Sequence, residues 1–163
     1  MCCAAPESKS SSPGLHSGPV KSSRDTVVVP DTALDDVLDH NFDMLVLPGG
    51  MPGVRNLRED PRIKKLLDRY TQNARHTAAI YAVPSVLAAY GHLAGRRVTS
   101  NPKFKEQVAV EGVRYYEDAV VTDGNIVTSR GPGTSIAFAL ALGEKLAGKT
   151  KREEVEAGLV LVH

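Results

Sequence analysis

Two short loops hold the residue types with which this 163-residue chain could do chemistry. Pro48-Gly49-Gly50 follows the apolar run Met44-Leu-Val-Leu47, and Tyr81-Ala82-Val83-Pro84 follows Thr77-Ala-Ala-Ile80. Glycine lets a backbone N–H approach a ligand closely, and a sharp strand-to-helix turn aims its amides into the same crevice, so the two loops together read as an anion or oxyanion pocket. Glycines after a strand are also ordinary turn formers, and that plainer reading stays open. A third glycine-rich stretch, Arg130-Gly-Pro-Gly-Thr-Ser135, lacks the Gly-Lys-Ser/Thr ending of a nucleotide loop and reads as the packed beginning of a helix.

Other chemistries are set aside by residue type and spacing. The two cysteines, Cys2 and Cys3, are adjacent, so they supply neither a conventional bridge nor the spaced ligands of a zinc site. His16, His40, His76, His92 and His163 share no ligand spacing and read as surface residues, so neither a metal nor a cofactor is expected. Asp35, Asp36 and Asp39 read as a carboxylate cluster at a helix start, explained by the helix dipole and solvation. Twenty Lys plus Arg against nineteen Asp plus Glu give a net charge of +1, which recruits no nucleic acid and no anionic membrane. The longest apolar runs fall far short of the roughly 20 residues that cross a bilayer.

The elements that must position the loops follow from periodicity. Thr26-Val-Val-Val29 reads as a strand, with Thr32 and Asp35 as a capping box for a short helix carrying Leu34, Val37 and Leu38. Met44–Leu47 and Thr77–Ile80 are apolar without alternation, as in parallel strands covered on both faces. Asp60 caps a helix with Pro61 in its first turn and Ile63, Leu66, Leu67 and Tyr70 on one face. Pro84 to Leu93 reads as a helix closed by Gly95, and Ala119–Thr122 and Asn125–Thr128 as a hairpin about Asp123-Gly124. Thr134 to Leu146 is a helix ended by Gly148, and Thr150 with Glu153 caps a last short one.

Strands alternating with helices give an α/β sandwich with a mainly parallel sheet. Three parallel strands are few for such a sheet, and the pattern reads as one β-α unit short at its start. Residues 1–23, rich in Ser and Pro and poor in apolar side chains, are expected to form a disordered tail before a single domain over 24–163. That tail is weakly like an organelle transit peptide but has no arginine, so a cytoplasmic protein is expected.

From Thr26 to His163 the chain resembles the ThiJ/PfpI superfamily, in its Parkinsonism-associated deglycase branch. The landmarks are Ser23-Arg-Asp-Thr-Val-Val-Val-Pro-Asp31, Leu45-Val-Leu-Pro-Gly-Gly50, Ala78-Ala-Ile-Tyr-Ala-Val-Pro84 and Thr128-Ser-Arg-Gly-Pro-Gly-Thr-Ser135. The resemblance implies a flavodoxin-like fold, a homodimer, and glyoxalase III or deglycase activity on methylglyoxal or glycated thiols and amines, with redox sensing and chaperone-like holding. The family's nucleophile is a cysteine at the turn after the strand, assisted by an acid and a histidine. Here Tyr81 stands at the nucleophile position and Asn101, in Thr99-Ser-Asn-Pro102, at the histidine position, while the segment bringing the acid is not matched. Phenols ionise near pH 10 and are poor nucleophiles at neutrality, so thiol-dependent catalysis is expected to be lost. Backbone N–H groups around Gly49, at Gly50 and at Ala82 would survive as oxyanion donors for a small carboxylate or aldehyde. Arg24 matches a family arginine near the dimer interface, or is a plain surface arginine. Three outcomes are therefore weighed: a non-catalytic dimerising or chaperone-like protein, an active glyoxalase or deglycase, and a shortened form without function of its own.

Overall fold

The computed structural model of the chain describes residues 9–161. Its elements run β1 (Pro13–Gly14), β2 (Val20–Lys21), β3 (Val27–Val28), β4 (Thr32–Ala33), a 3-10 turn (Leu34–Val37), β5 (Met44–Leu47), α1 (Gly53–Glu59), α2 (Pro61–Gln72), β6 (His76–Ile80) and α3 (Pro84–Ala89). There follow β7 (Arg97–Val98), α4 (Lys105–Val108), β8 (Arg114–Tyr115), β9 (Val120–Asp123), β10 (Ile126–Ser129), α5 (Ser135–Ala147) and α6 (Lys149–Gly158).

The central sheet has the order β5-β6-β10-β9, in which β5, β6 and β10 are parallel and β9 is antiparallel to β10. Because successive strand residues point to opposite faces, Ala79 and Ile126 join the larger core with Leu67 of α2 and Leu87 of α3, while Ala78 and Val127 join Phe138 and Leu142 of α5. Helices thus cover both faces, and the flavodoxin-like α/β sandwich expected above is the fold observed. The order leaves β5 at one edge, and Met44, Leu45 and Val46 are only half-buried there. The other edge is tied down: Asp123 Oδ2 at the end of β9 accepts from the Arg97 N–H at 2.8 Å. Among the described residues no helix is long and apolar enough to cross a membrane.

Helix α2 forms where its sequence dictates. Asp60 Oδ1 accepts from the Arg62 N–H at 2.9 Å, Pro61 opens the helix, and Ile63, Leu66, Leu67 and Tyr70 are buried on one stripe. Elsewhere the structure corrects the expectations. The box at the first short helix uses Asp36 in place of Asp35, its Oδ2 accepting from the Thr32 hydroxyl at 2.7 Å and from the Ala33 N–H. Asp35 faces Arg62 at 2.9 Å. The 26–29 segment is only a two-residue strand, exposed and antiparallel to β2, because no second element covers its valines. Helix α3 stops at Ala89, ahead of Gly91 at φ +79°. The hairpin loop is Gly124-Asn125, since Asp123 is already paired with Ile126, and α6 is capped by Gly148 with no side chain from Thr150.

The stretch expected to be a disordered tail is partly built in. Its residues 1–8, with both cysteines, lie outside the described residues, as does His163. From Ser12 onward the chain is held: its N–H donates to Asp31 Oδ2 at 2.7 Å, β1 pairs in parallel with β4, and the Leu15 carbonyl accepts from the Arg62 guanidinium at 2.8 Å. Apolar content alone underrated this stretch because these ties are polar and backbone-based.

Candidate functional site

The carboxyl ends of β5, β6 and β10 meet at Tyr81. Strand β6 must turn at once into α3, and the turn places Tyr81 at φ +68°, a left-handed conformation that L-residues with a β-carbon resist. Three ties hold it there. The Tyr81 N–H donates to the Ser129 carbonyl at 3.1 Å, the Tyr81 carbonyl accepts from the Asn101 N–H at 2.9 Å, and the next residues, Ala82 to Leu87, are buried.

The phenol ring lies in a slot between Gly49, Gly131 and Phe104, and only at Gly49 does its position demand a glycine. A Cβ on Gly49 would stand 2.5 Å from the Tyr81 Cβ and 2.8 Å from the Ile80 carbonyl oxygen, closer than atoms can pack; a Cβ on Gly131 would meet Cδ2 of the same ring at 3.5 Å. Phe104 closes the slot with an edge-on contact, ring centroids 5.6 Å apart. Gly131 is fixed by Thr134, whose hydroxyl accepts from the Gly131 N–H at 3.0 Å and lies 2.7 Å from the Ser129 hydroxyl. The Arg130–Ser135 stretch read as a helix beginning is therefore also a wall of the crevice. Gly131 and Phe104 were missed by sequence reasoning, although the Gly-Pro-Gly directly after a buried strand was a signal for the first of them.

Asn101 stands beside Tyr81, but its side chain is engaged: Oδ1 accepts from the Lys103 N–H at 3.1 Å and caps the turn at Pro102–Phe104. The N–H groups of Gly50 and of the buried Ala82 have no acceptor among the described residues. The Gly50 carbonyl accepts from the Val54 N–H at 2.9 Å and so anchors the start of α1. At the rim Lys105 pairs with Glu117 at 2.9 Å, and the Arg130 guanidinium donates to the Glu117 carbonyl at 2.7 Å. The Lys105 ammonium holds the Glu117 carboxyl below its usual range. No group of three metal-ligating side chains occurs among the described residues.

Arg24 is not brought to this crevice by any hydrogen bond. It occupies the exposed turn between β2 and β3, its N–H on the Ser22 hydroxyl at 3.3 Å. Two of the histidines read as surface residues are half-buried, with Nδ1 of His76 and Nε2 of His92 buried and without a hydrogen-bond partner among the described residues. Both were underrated because a lone histidine carries no burial signal in its spacing.

Comparison with known proteins agrees with this geometry. The model of the DJ-1/PfpI family matches residues 6–145. Protein dj-1beta of Drosophila melanogaster is 44% identical over 152 residues, covering 92% of this chain and 81% of the relative. Its crystal structure superposes with a TM-score of 0.84 at 43% identity, over 89% of this chain and 78% of that one. A protein of Caenorhabditis elegans named glutathione-independent glyoxalase DJR-1.2 is 38% identical over 148 residues, 91% of this chain and 78% of the relative.

Proposed function

The chain belongs to the DJ-1/PfpI family, and from that premise we propose that it is a member without thiol-dependent catalysis, working as a dimerising, chaperone-like stress-response protein of the cytoplasm. The observation that carries this reading is Tyr81 in its glycine-cleared slot. The family position for a reactive thiol holds a phenol ring, and no cysteine follows Cys3. Its ring takes up crevice volume that a substrate would need, and Asn101 neither bears a titratable proton nor has its carbonyl oxygen free. What survives is backbone chemistry. The N–H groups of Gly50 and Ala82 can hold a carboxylate or the oxygen of an aldehyde, with Lys105 and Arg130 at the rim.

Dimerisation is supported by the β2–β3 ribbon, where Val20, Val27, Val28 and Val29 are all exposed with Arg24 in the turn between the strands. An apolar patch of this kind marks an interaction surface.

The test is the purified chain with methylglyoxal. We expect lactate formation equal to that of buffer alone, and an elution mass of a dimer. Lactate formation that persists after Cys2→Ser and Cys3→Ser would overturn the loss of catalysis, and a monomer at micromolar concentration would overturn the dimer. Similarity to the worm glyoxalase favours a second reading, an active enzyme with another nucleophile. Tyr81→Cys separates the two. If the thiol is what is missing, this variant gains activity, though not in full while Asn101 occupies the histidine position.

A further inference from the structure

At the opposite pole of the sheet, by the amino ends of β6 and β10, lies a cavity of about 320 Å³. It is bounded by the last turn of α2, the turn after α3 and the hairpin loop, and it shares no residue with the crevice at Tyr81. Its volume is within the range of small-molecule sites.

The lining divides into an apolar floor and a polar end. Leu67, Leu87 and Ile126 supply the floor; His92, Arg96 and Asn125 supply the polar end, with the hydroxyls of Thr71 and Thr77 between them. The His92 side chain is only 10% exposed. Its Nδ1 lies 3.1 Å from the Thr71 hydroxyl, and its Nε2 is buried without a hydrogen-bond partner, the nearest carboxylate oxygen being that of Asp68 at 3.3 Å in poor alignment. Nε2 thus faces the Asp68 carboxylate with almost no accessible surface, so His92 forms part of the wall and the donors open to a ligand are those of Arg96.

Charge selects the ligand's sign. Arg96 reaches Asp123 only at 3.9 Å, and that carboxylate already accepts from the Arg97 N–H at 2.8 Å. Arg96 therefore keeps donors unengaged. The other acid nearby, Asp68, is matched by Lys64 at 2.7 Å. Near them stands Arg114, bonded to the Gly95 carbonyl at 2.9 Å, whereas the Arg75 guanidinium is turned to the Phe42 carbonyl. The balance at this pole is cationic.

We propose that this cavity is a second binding site, for a small monocarboxylate with an apolar body, its carboxylate on Arg96 and its body on Leu67, Leu87 and Ile126. The site is separate from the backbone donors at Gly50 and Ala82, and it stands whether or not the crevice at Tyr81 is catalytic.

The test is amide-resolved NMR of the full chain titrated into the millimolar range with benzoate, and with benzamide as its uncharged counterpart. We expect saturable shifts centred on Thr71, Ala74, Thr77 and Asn125, and weaker binding of benzamide by about tenfold or more, the worth of a charge-assisted hydrogen bond. Arg96→Gln should weaken benzoate by a similar factor, whereas Arg97→Gln, which lines no part of the cavity, should leave it unchanged. Equal binding of benzoate and benzamide, an unaltered affinity in Arg96→Gln, or shifts confined to Gly49, Tyr81 and Gly131 would each overturn the assignment.

Discussion

The two poles of one sheet are built by opposite means. At the carboxyl ends of β6 and β10 the site is shaped by backbone: a left-handed Tyr81, a Gly49 where any side chain would strike it, and N–H groups at Gly50 and Ala82 without an acceptor among the described residues. At the amino ends it is shaped by ionisable side chains, with His92, Asp68, Arg96 and Asp123 around a cavity. Backbone geometry tolerates a change of side chain, because the N–H donors belong to the main chain. Side-chain electrostatics depends on each residue named. The upper pole should therefore respond to volume and to backbone dihedral angle, and the lower pole to pH and charge.

The largest expected effect tests volume. In Gly49→Ala the new methyl group meets the Tyr81 Cβ and the Ile80 carbonyl, neither of which is the movable end of a side chain. Overpacking against backbone costs about 3 kcal/mol, read as a lower urea midpoint. An unchanged midpoint would mean that the slot is loose, and the contrast between the poles would fail.

A smaller effect tests the dihedral angle. At φ +68° a β-carbon is penalised, so Tyr81→Gly should be more stable than Tyr81→Ala by about 1 kcal/mol. In an ordinary strand or helix alanine is the better of the two, so the sign of the difference is itself the result. Both variants lose the ring contact with Phe104, which cancels in the comparison.

The smallest effect belongs to the lower pole and is read against pH. Burial pushes the His92 imidazole below its ordinary value, with the Asp68 carboxylate opposing in part and the Lys64 ammonium adding to the depression. The unfolded chain takes up a proton near pH 6.5 that the folded chain refuses, so stability is full above that pH and falls as pH drops through the folded value. Melting temperature should decline as pH falls below about 6.5, and His92→Gln should flatten that decline. The Lys64 ammonium holds the Asp68 carboxyl below its usual range, so its own loss falls in a separate, more acid window. An identical decline in the variant would remove His92 from the account.

How much of this was legible beforehand depends on the range of the interactions. Asp60, Pro61 and the stripe from Ile63 to Tyr70 fix α2 within one stretch of chain, and the structure agrees residue by residue. Strands β5 and β6 were readable because a buried parallel strand is apolar throughout; β10 was readable only as half of a hairpin, and its parallel pairing with β6 was not. Strands β7 and β8 were not, since two residues carry no period. The loops at Gly49 and Tyr81 were placed together correctly by the rule that ligands gather beyond strand ends. The slot itself was hidden: that Gly49, Phe104 and Gly131 converge on one ring is a matter of long-range packing. The cavity beside His92 left no trace either, because its lining comes from four elements and three turns.

The bare side of β5 carries a further meaning, in terms of lifetime rather than fold. A short, wholly apolar strand with one row of backbone groups unpaired is a growth point for strand addition. Encounters at such a point are second order in protein, whereas unfolding is first order. The working lifetime of the chain in solution is then set by how crowded it is with copies of itself, and a melting temperature measured on a dilute sample says little about it.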